Sequence, residues 1–476
     1  MKIAISVLVL AIEAPAGAQV TTGRIEPLIP DLMPTPAELQ AEAGHYVIDA
    51  SLTVAVNGNG ATARLRRGVQ RALRRLTGRG GLFLEPTVFL DLESRDHASM
   101  AVTARREGAL ELGEDETYEL AVSEDGIRID AETDIGAIRG LETFLQLVVL
   151  DHRGVVVPLV RVSDAPRFPW RGLMIDASRH FMPVEAIKRN LDGMAAVKLN
   201  VLHWHLADDQ GFRVECHAFP RLHELGSDGD YYSHHQVREV LAYAADRGIR
   251  VVPEFDLPGH ATSWLAAYPE LGSQPGPYEI ERGWGIFKPT VDPTREETYR
   301  FLDAFFAEMA ALFDDAYLHI GGDENTGEHW RDNPEIQVFM AERGLADAHA
   351  LQQYFNQRVQ EILERHGKLM VGWDEILQPE LPTSIVIQSW RGHESLYEAA
   401  RRGYSGTLSN GYYIDLIQPT DFHYLNDPLP EDAPLSDDEN QRILGGEATM
   451  WAEYVTPETV DSRIWPRTAA IAERLW

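Results

Sequence analysis

Asp323 and Glu324 follow Gly321-Gly322 at the end of a β-rich run, 316–321. Glycines there permit a tight turn out of a strand. Two adjacent carboxylates in a partly dry pocket cannot easily both be charged, so their proton affinities should separate. One would donate a proton near neutral pH; the other would stay anionic and accept a hydrogen bond. Trp373, Trp390 and Trp451 each fall where another β-rich run ends. Flat indole faces suit the C–H face of a sugar or an acetyl methyl group. His203-Trp204-His205 puts two imidazoles on one side of a strand, the spacing of a zinc hydrolase. That would make the chain a metal-dependent amide hydrolase, but the carboxylate pair leaves no separate catalytic need for a metal.

These residues need a scaffold that brings strand ends together. After Pro166, β-rich runs at 171–176, 200–206, 250–255, 316–321, 368–373, 384–389, 405–409 and 444–450 alternate with amphipathic stretches. Ile187, Leu191, Met194 and Ala195 form one helical face, and Phe301, Phe305, Met309 and Leu312 another. Eight strands, most followed by a helix, predict a (β/α)₈ barrel over 166–476, with no clear helix in 418–440. Such barrels place reactive groups past the C-terminal ends of the strands. Upstream, 45–56 alternates as a strand, and Leu65, Val69, Ala72, Leu73 and Leu76 line one side of a helix. A second helical face carries Ile138, Leu141, Leu145 and Val148, so 19–165 reads as a small α+β domain. The arginines at 64, 66, 67, 71, 74 and 75 read as a solvated face, because no aromatic residue is interleaved with them.

The 476 residues carry 43 Lys and Arg against 74 Asp and Glu, a net charge of −31. A surface that acidic repels phosphate backbones and anionic lipid, so nucleic acid is not an expected partner. The single cysteine, Cys216, cannot form an internal disulfide. Lys2, the apolar run Ile3 to Ile12 and Ala16-Gly17-Ala18 read as a signal peptide over 1–18, so a secreted or periplasmic location is expected. No apolar stretch has the roughly 18–20 residues of a membrane span.

The strand-end residues resemble those of the β-N-acetylhexosaminidases of glycoside hydrolase family 20. The resemblance is carried by Arg171-Gly172-Leu173-Met174-Ile175-Asp176, the run from Lys198 through His203-Trp204-His205 to Asp208-Asp209-Gln210-Gly211, and Pro253-Glu254-Phe255-Asp256-Leu257-Pro258-Gly259-His260. It continues through His319 to Glu324, Gly372-Trp373, Gln388-Ser389-Trp390, Tyr413-Ile414-Asp415 and Gly445 to Glu453. Pro466-Arg467 through Arg474 looks like the family's last helix, and the chain stops soon after, at Trp476.

The resemblance implies an exo-acting enzyme that releases terminal β-linked N-acetylglucosamine or N-acetylgalactosamine from an oligosaccharide or glycoconjugate. It implies that Glu324 is the general acid/base and that Asp323 orients and charge-stabilises the 2-acetamido nitrogen. Tyr413 would bond the acetamido oxygen, and Trp373, Trp390 and Trp451 would enclose the sugar. Arg171, Asp415 and Glu453 would hold its hydroxyls, and Asp208 and His260 would support Glu324. The implied reaction is retaining and substrate-assisted, with no metal or organic cofactor. A non-catalytic sugar-binding protein on the same barrel is the other reading, disfavoured by the presence of Asp323, Glu324 and Tyr413 together.

Overall fold

The computed structural model describes residues 29–81, 89–90 and 98–476. The expected signal segment lies outside them. Eight parallel strands close into a barrel: Trp170–Asp176, Val201–His205, Arg250–Glu254, Tyr317–His319, Leu369–Trp373, Val386–Ser389, Ser405–Leu408 and Ile443–Met450. The last pairs with the first, Glu447 opposite Gly172 and Met450 opposite Ile175. Most strand residues are buried; apolar residues predominate, with His203, His205, Glu254, Gln388 and Glu447 buried among them. The helices Val184–Ala196, His234–Ala245, Glu296–Leu312, Ala348–Arg365 and His393–Arg401 pack their apolar stripes around the outside. The seventh connection carries only two short helices, Thr420–Tyr424 and Asp437–Asn440.

In the preceding domain the sheet runs in space as Glu38–Ile48, Gly154–Asp164, Tyr118–Ser123, Gly126–Thr133, Met100–Arg106, Val54–Asn57 and Phe89–Leu90. Helices Ala63–Gly80 and Asp134–Leu147 cover one face with Leu65, Val69, Leu76, Ile138, Leu141 and Leu145. Thr62 starts the first helix by accepting the Leu65 N–H at 3.1 Å. The alternation at 45–56 is two strands rather than one. Asp49 Oδ1 accepts the Ser51 N–H at 2.8 Å, and this turn ends one strand before the next begins elsewhere in the sheet.

The arginine-rich helix is also not simply a solvated face. Arg67 pairs with Asp246 at 2.6 Å, and Arg71 donates to the Asp246 carbonyl, so the helix is docked on the barrel. A buried cluster makes a second junction. Glu116 of the first domain accepts from Arg139 at 2.6 Å, from Arg171 at 2.7 Å and from Asn200 at 3.0 Å. Burial raises the Glu116 proton affinity, but the two guanidinium groups outweigh it and hold the carboxyl down at about 2. The folded value lies below that of an ordinary glutamate, so this contribution is present above about pH 4.5 and is lost as pH falls toward 2. Glu116→Gln strands buried positive charge and should cost about 3–5 kcal/mol in denaturant unfolding at neutral pH. The deficit should narrow as pH falls through that window.

Candidate active site

The turn after the fourth strand is built by backbone geometry few sequences allow. Gly321 and Gly322 have φ of 66° and 95°, and a Cβ on Gly321 would lie 1.8 Å from Asp256 Oδ1. That close approach lets Asp256 Oδ1 accept the Gly322 N–H at 3.1 Å. Glu324 itself has φ of 50° and His260 has 46°, conformations that cost non-glycine residues free energy and persist where surroundings over-determine them. The turn delivers Asp323 and Glu324 to a cavity of about 310 Å³, walled also by Trp390, Tyr413 and Trp451. Arg179, Asp415, Leu416 and Glu453 complete the lining.

Asp323 is 14% exposed and Glu324 34%. Burial raises the Asp323 carboxyl to about 7; Glu375, Glu254 and Glu324 push the same way, and only His260 opposes them. Asp323 Oδ1 is buried and has no hydrogen-bond partner within the protein, and the same holds for Asp415 Oδ1. Buried acceptors of this kind are costly unless something else satisfies them. Asp415 is likewise pushed up to about 7, chiefly by burial. Burial, with Asp323, Asp415 and Glu324 nearby, raises the Tyr413 phenol well above its ordinary value, so it is a neutral donor.

Behind Glu324 lies a chain of alternating imidazoles and carboxylates. His260 Nε2 is 3.5 Å from Glu324 Oε2, and its Nδ1 is 3.2 Å from Asp208 Oδ1. Asp208 also receives His205 Nε2 at 3.1 Å and Arg179 at 2.7 Å. Burial disfavours charge on His260, but Asp208, with hydrogen bonds to Asp209 and Glu324, holds it well above the ordinary histidine value as a cation. Trp373 is fully buried; its indole donates to Glu254 at 2.9 Å and its ring centroid is 5.7 Å from that of Trp451. It therefore backs the pocket wall, while Trp390 and Trp451 face the cavity. Trp390 is held by donating to Glu375 at 3.2 Å.

Of the residues expected at the site, Asp323, Glu324, Tyr413, Trp390, Asp415, Trp451 and Glu453 meet at the cavity. Asp208, His260 and Trp373 stand directly behind it. Arg171 does not join them. It opens the first strand rather than ending it, and its guanidinium is fully buried against Glu116 and the carbonyls of Phe168 and Lys198. The arginine at the cavity is Arg179, three residues past the end of that strand and stacked 4.8 Å from the Trp451 ring. Its place after a strand end was the available signal.

The HxH pair is occupied by carboxylates. His203 lies 2.6 Å from Glu447 and 2.9 Å from Glu254, and His205 lies 2.5 Å from Glu254. Burial lowers both imidazoles, but these anions outweigh it and hold them up at about 9 and about 10. In this arrangement both rings serve as donors to the carboxylates.

Paired acids at the C-terminal mouth of a (β/α)₈ barrel, with aromatic walls and orphaned acceptors, make a barrel-enzyme site suited to a sugar ring and to acid/base chemistry. A family model described as "Glycosyl hydrolase family 20, catalytic domain" matches residues 168–476, and one described as "beta-acetyl hexosaminidase like" matches 32–147. A beta-hexosaminidase of Porphyromonas gingivalis is 33% identical over 94% of this chain and 60% of its own length. The mouse beta-hexosaminidase subunit beta is 39% identical over 79% of this chain and 72% of its own. The solved structure of a Flavobacterium johnsoniae chitobiase superposes with a TM-score of 0.91 at 49% identity, covering 94% of this chain and 69% of that one. The chain belongs to glycosyl hydrolase family 20, and it has both the barrel and the preceding domain of its relatives.

Proposed function

We propose that the protein is an exo-acting β-N-acetylhexosaminidase. It removes a terminal non-reducing N-acetylglucosamine or N-acetylgalactosamine from an oligosaccharide or glycoconjugate, with retention of the β configuration. The observation that carries this reading is Asp323 Oδ1, a buried acceptor with no partner in the protein, beside Glu324 in a tryptophan-walled cavity. The N–H of a 2-acetamido group would satisfy it. At about 310 Å³ the cavity lies at the small end of the roughly 300–1,000 Å³ range of ligand pockets, suited to a single ring. The N-terminal segment supports a secreted or periplasmic location.

The reaction uses the substrate's own amide. Its carbonyl oxygen attacks C1 while Glu324 protonates the leaving oxygen, and a cyclic oxazolinium forms. Asp323 accepts the amide N–H and, as an anion, offsets the developing positive charge. Tyr413 donates to the amide oxygen, and the indoles hold the group in attack geometry, making the displacement intramolecular. Glu324 then removes a proton from the incoming water. Arg179, Asp415 and Glu453 present donors and acceptors for the ring hydroxyls. Asp208 holds His260 as a cation against Glu324.

A matched panel of aryl β-glycosides with and without the 2-acetamido group tests the reading. Cleavage should be confined to the acetamido-bearing members, and a thiazoline mimic of the cyclised intermediate should inhibit tightly. Equal rates across the panel, or indifference to the thiazoline, would point instead to a protein nucleophile.

A further inference from the structure

We propose that His217, His234 and Glu308 form a binding site for a divalent transition-metal ion, zinc being the best match, on the outside of the barrel. His217 lies in the loop that follows the small ribbon of Ala207–Asp208 and Gly211–Phe212; His234 opens the helix His234–Ala245; Glu308 belongs to Glu296–Leu312. Their ligand atoms all fall within 4.8 Å of one another. His234 Nε2 is 3.2 Å from Glu308 Oε1, and His217 Nδ1 is 4.0 Å from the same oxygen. Ligands of a tetrahedral zinc at about 2.0–2.2 Å sit roughly 3.3–3.5 Å apart, so a small swing of the exposed His217 ring closes the set.

Charge favours a dication here. Glu215 Oε1 lies 3.3 Å from the other nitrogen of His217, so two carboxylates face two imidazoles. Among the described residues no Lys or Arg pairs with Glu215 or Glu308. Glu308 is already oriented: its oxygens accept the His217 N–H at 2.7 Å and the Ala218 N–H at 2.8 Å, the kind of outer support metal ligands have. Cys216 Sγ donates to Glu308 Oε2 at 3.4 Å, a further contact that orients this carboxylate. Zinc would displace the contact between His234 Nε2 and the Glu215 carbonyl, now 3.0 Å, and release any proton held there. None of the three residues lines the sugar cavity. The other His and carboxylate clusters, around His203, His260 and Asp256, belong to the catalytic network already described.

The test titrates zinc into the full chain by calorimetry and records the visible spectrum with cobalt, in the wild type and in His217→Ala. The His217 side chain is 65% exposed, so this variant should keep the fold and its rate on an aryl N-acetylglucosaminide. The wild type should bind one zinc with micromolar or tighter affinity and give the intense cobalt bands of a four-coordinate site. His217→Ala should lose the bands and weaken zinc by at least about tenfold. Absence of binding in the wild type, or identical titrations and spectra in the two proteins, would overturn the proposal without touching the glycosidase reading.

Discussion

Glu324→Gln should leave the fold intact and lower kcat/KM on substrates with poor leaving groups by about 10²–10⁴-fold, the usual contribution of a positioned general acid. Glutamine is isosteric, and Glu324 is 34% exposed at the cavity rather than locked in the core. The loss should shrink sharply on aryl glycosides whose phenols leave without protonation. That dependence follows because kcat/KM reports only steps through departure of the leaving group, where the proposed role of Glu324 is that of an acid. With those activated substrates the second step, in which it acts as a base, should become limiting, and kcat should stay low. Measured Brønsted plots for the two proteins decide the matter. Parallel slopes, or wild-type rates on poor leaving groups, would remove Glu324 from the role.

Asp323→Asn should cost about 10²–10³-fold in kcat, the range seen when one charge-stabilising partner of a transition state is lost. Its pH signature is the sharper readout. Burial pushes Asp323 up to about 7, and the proposed reaction needs it anionic. The kcat/KM of the wild type on an activated substrate should therefore rise with pH through the region just below neutrality, well above the ordinary aspartate range. In Asp323→Asn that rising limb should flatten. Asp415, also pushed up to about 7, contributes to the same limb, so Asp415→Asn provides the comparison. A limb unchanged in Asp323→Asn but lost in Asp415→Asn would assign it to the sugar hydroxyl contact instead.

Both experiments rest on residues whose position could be read from sequence, and the contrast with Arg171 shows why. The eight strand segments expected after Pro166 match the observed ones to within two residues at every end, because short runs rich in apolar and β-branched residues between amphipathic helices mark doubly buried strands. The carboxylates and indoles at the ends of those runs inherit that reliability. Resemblance places Arg171 at the pocket although it opens its strand, and the barrel sends that end toward Glu116 and Arg139 of the other domain. Arg179 lay just past the correct end. The stretch 45–56 reads as one strand for another reason: its alternation continues across Asp49, where the Ser51 and Leu52 N–H groups turn back to the Asp49 side chain and carbonyl and break the pairing.

The chain by itself determined the barrel, its companion domain and the acidic pair at the fourth strand, since these depend on apolar period and on neighbours in sequence. Tertiary structure alone decided how far Asp323 is raised, which arginine lines the cavity and how the two domains are riveted. Proton affinity and ion pairing are set by groups that meet only when distant segments close on one another, as Glu375 and His260 do around Asp323.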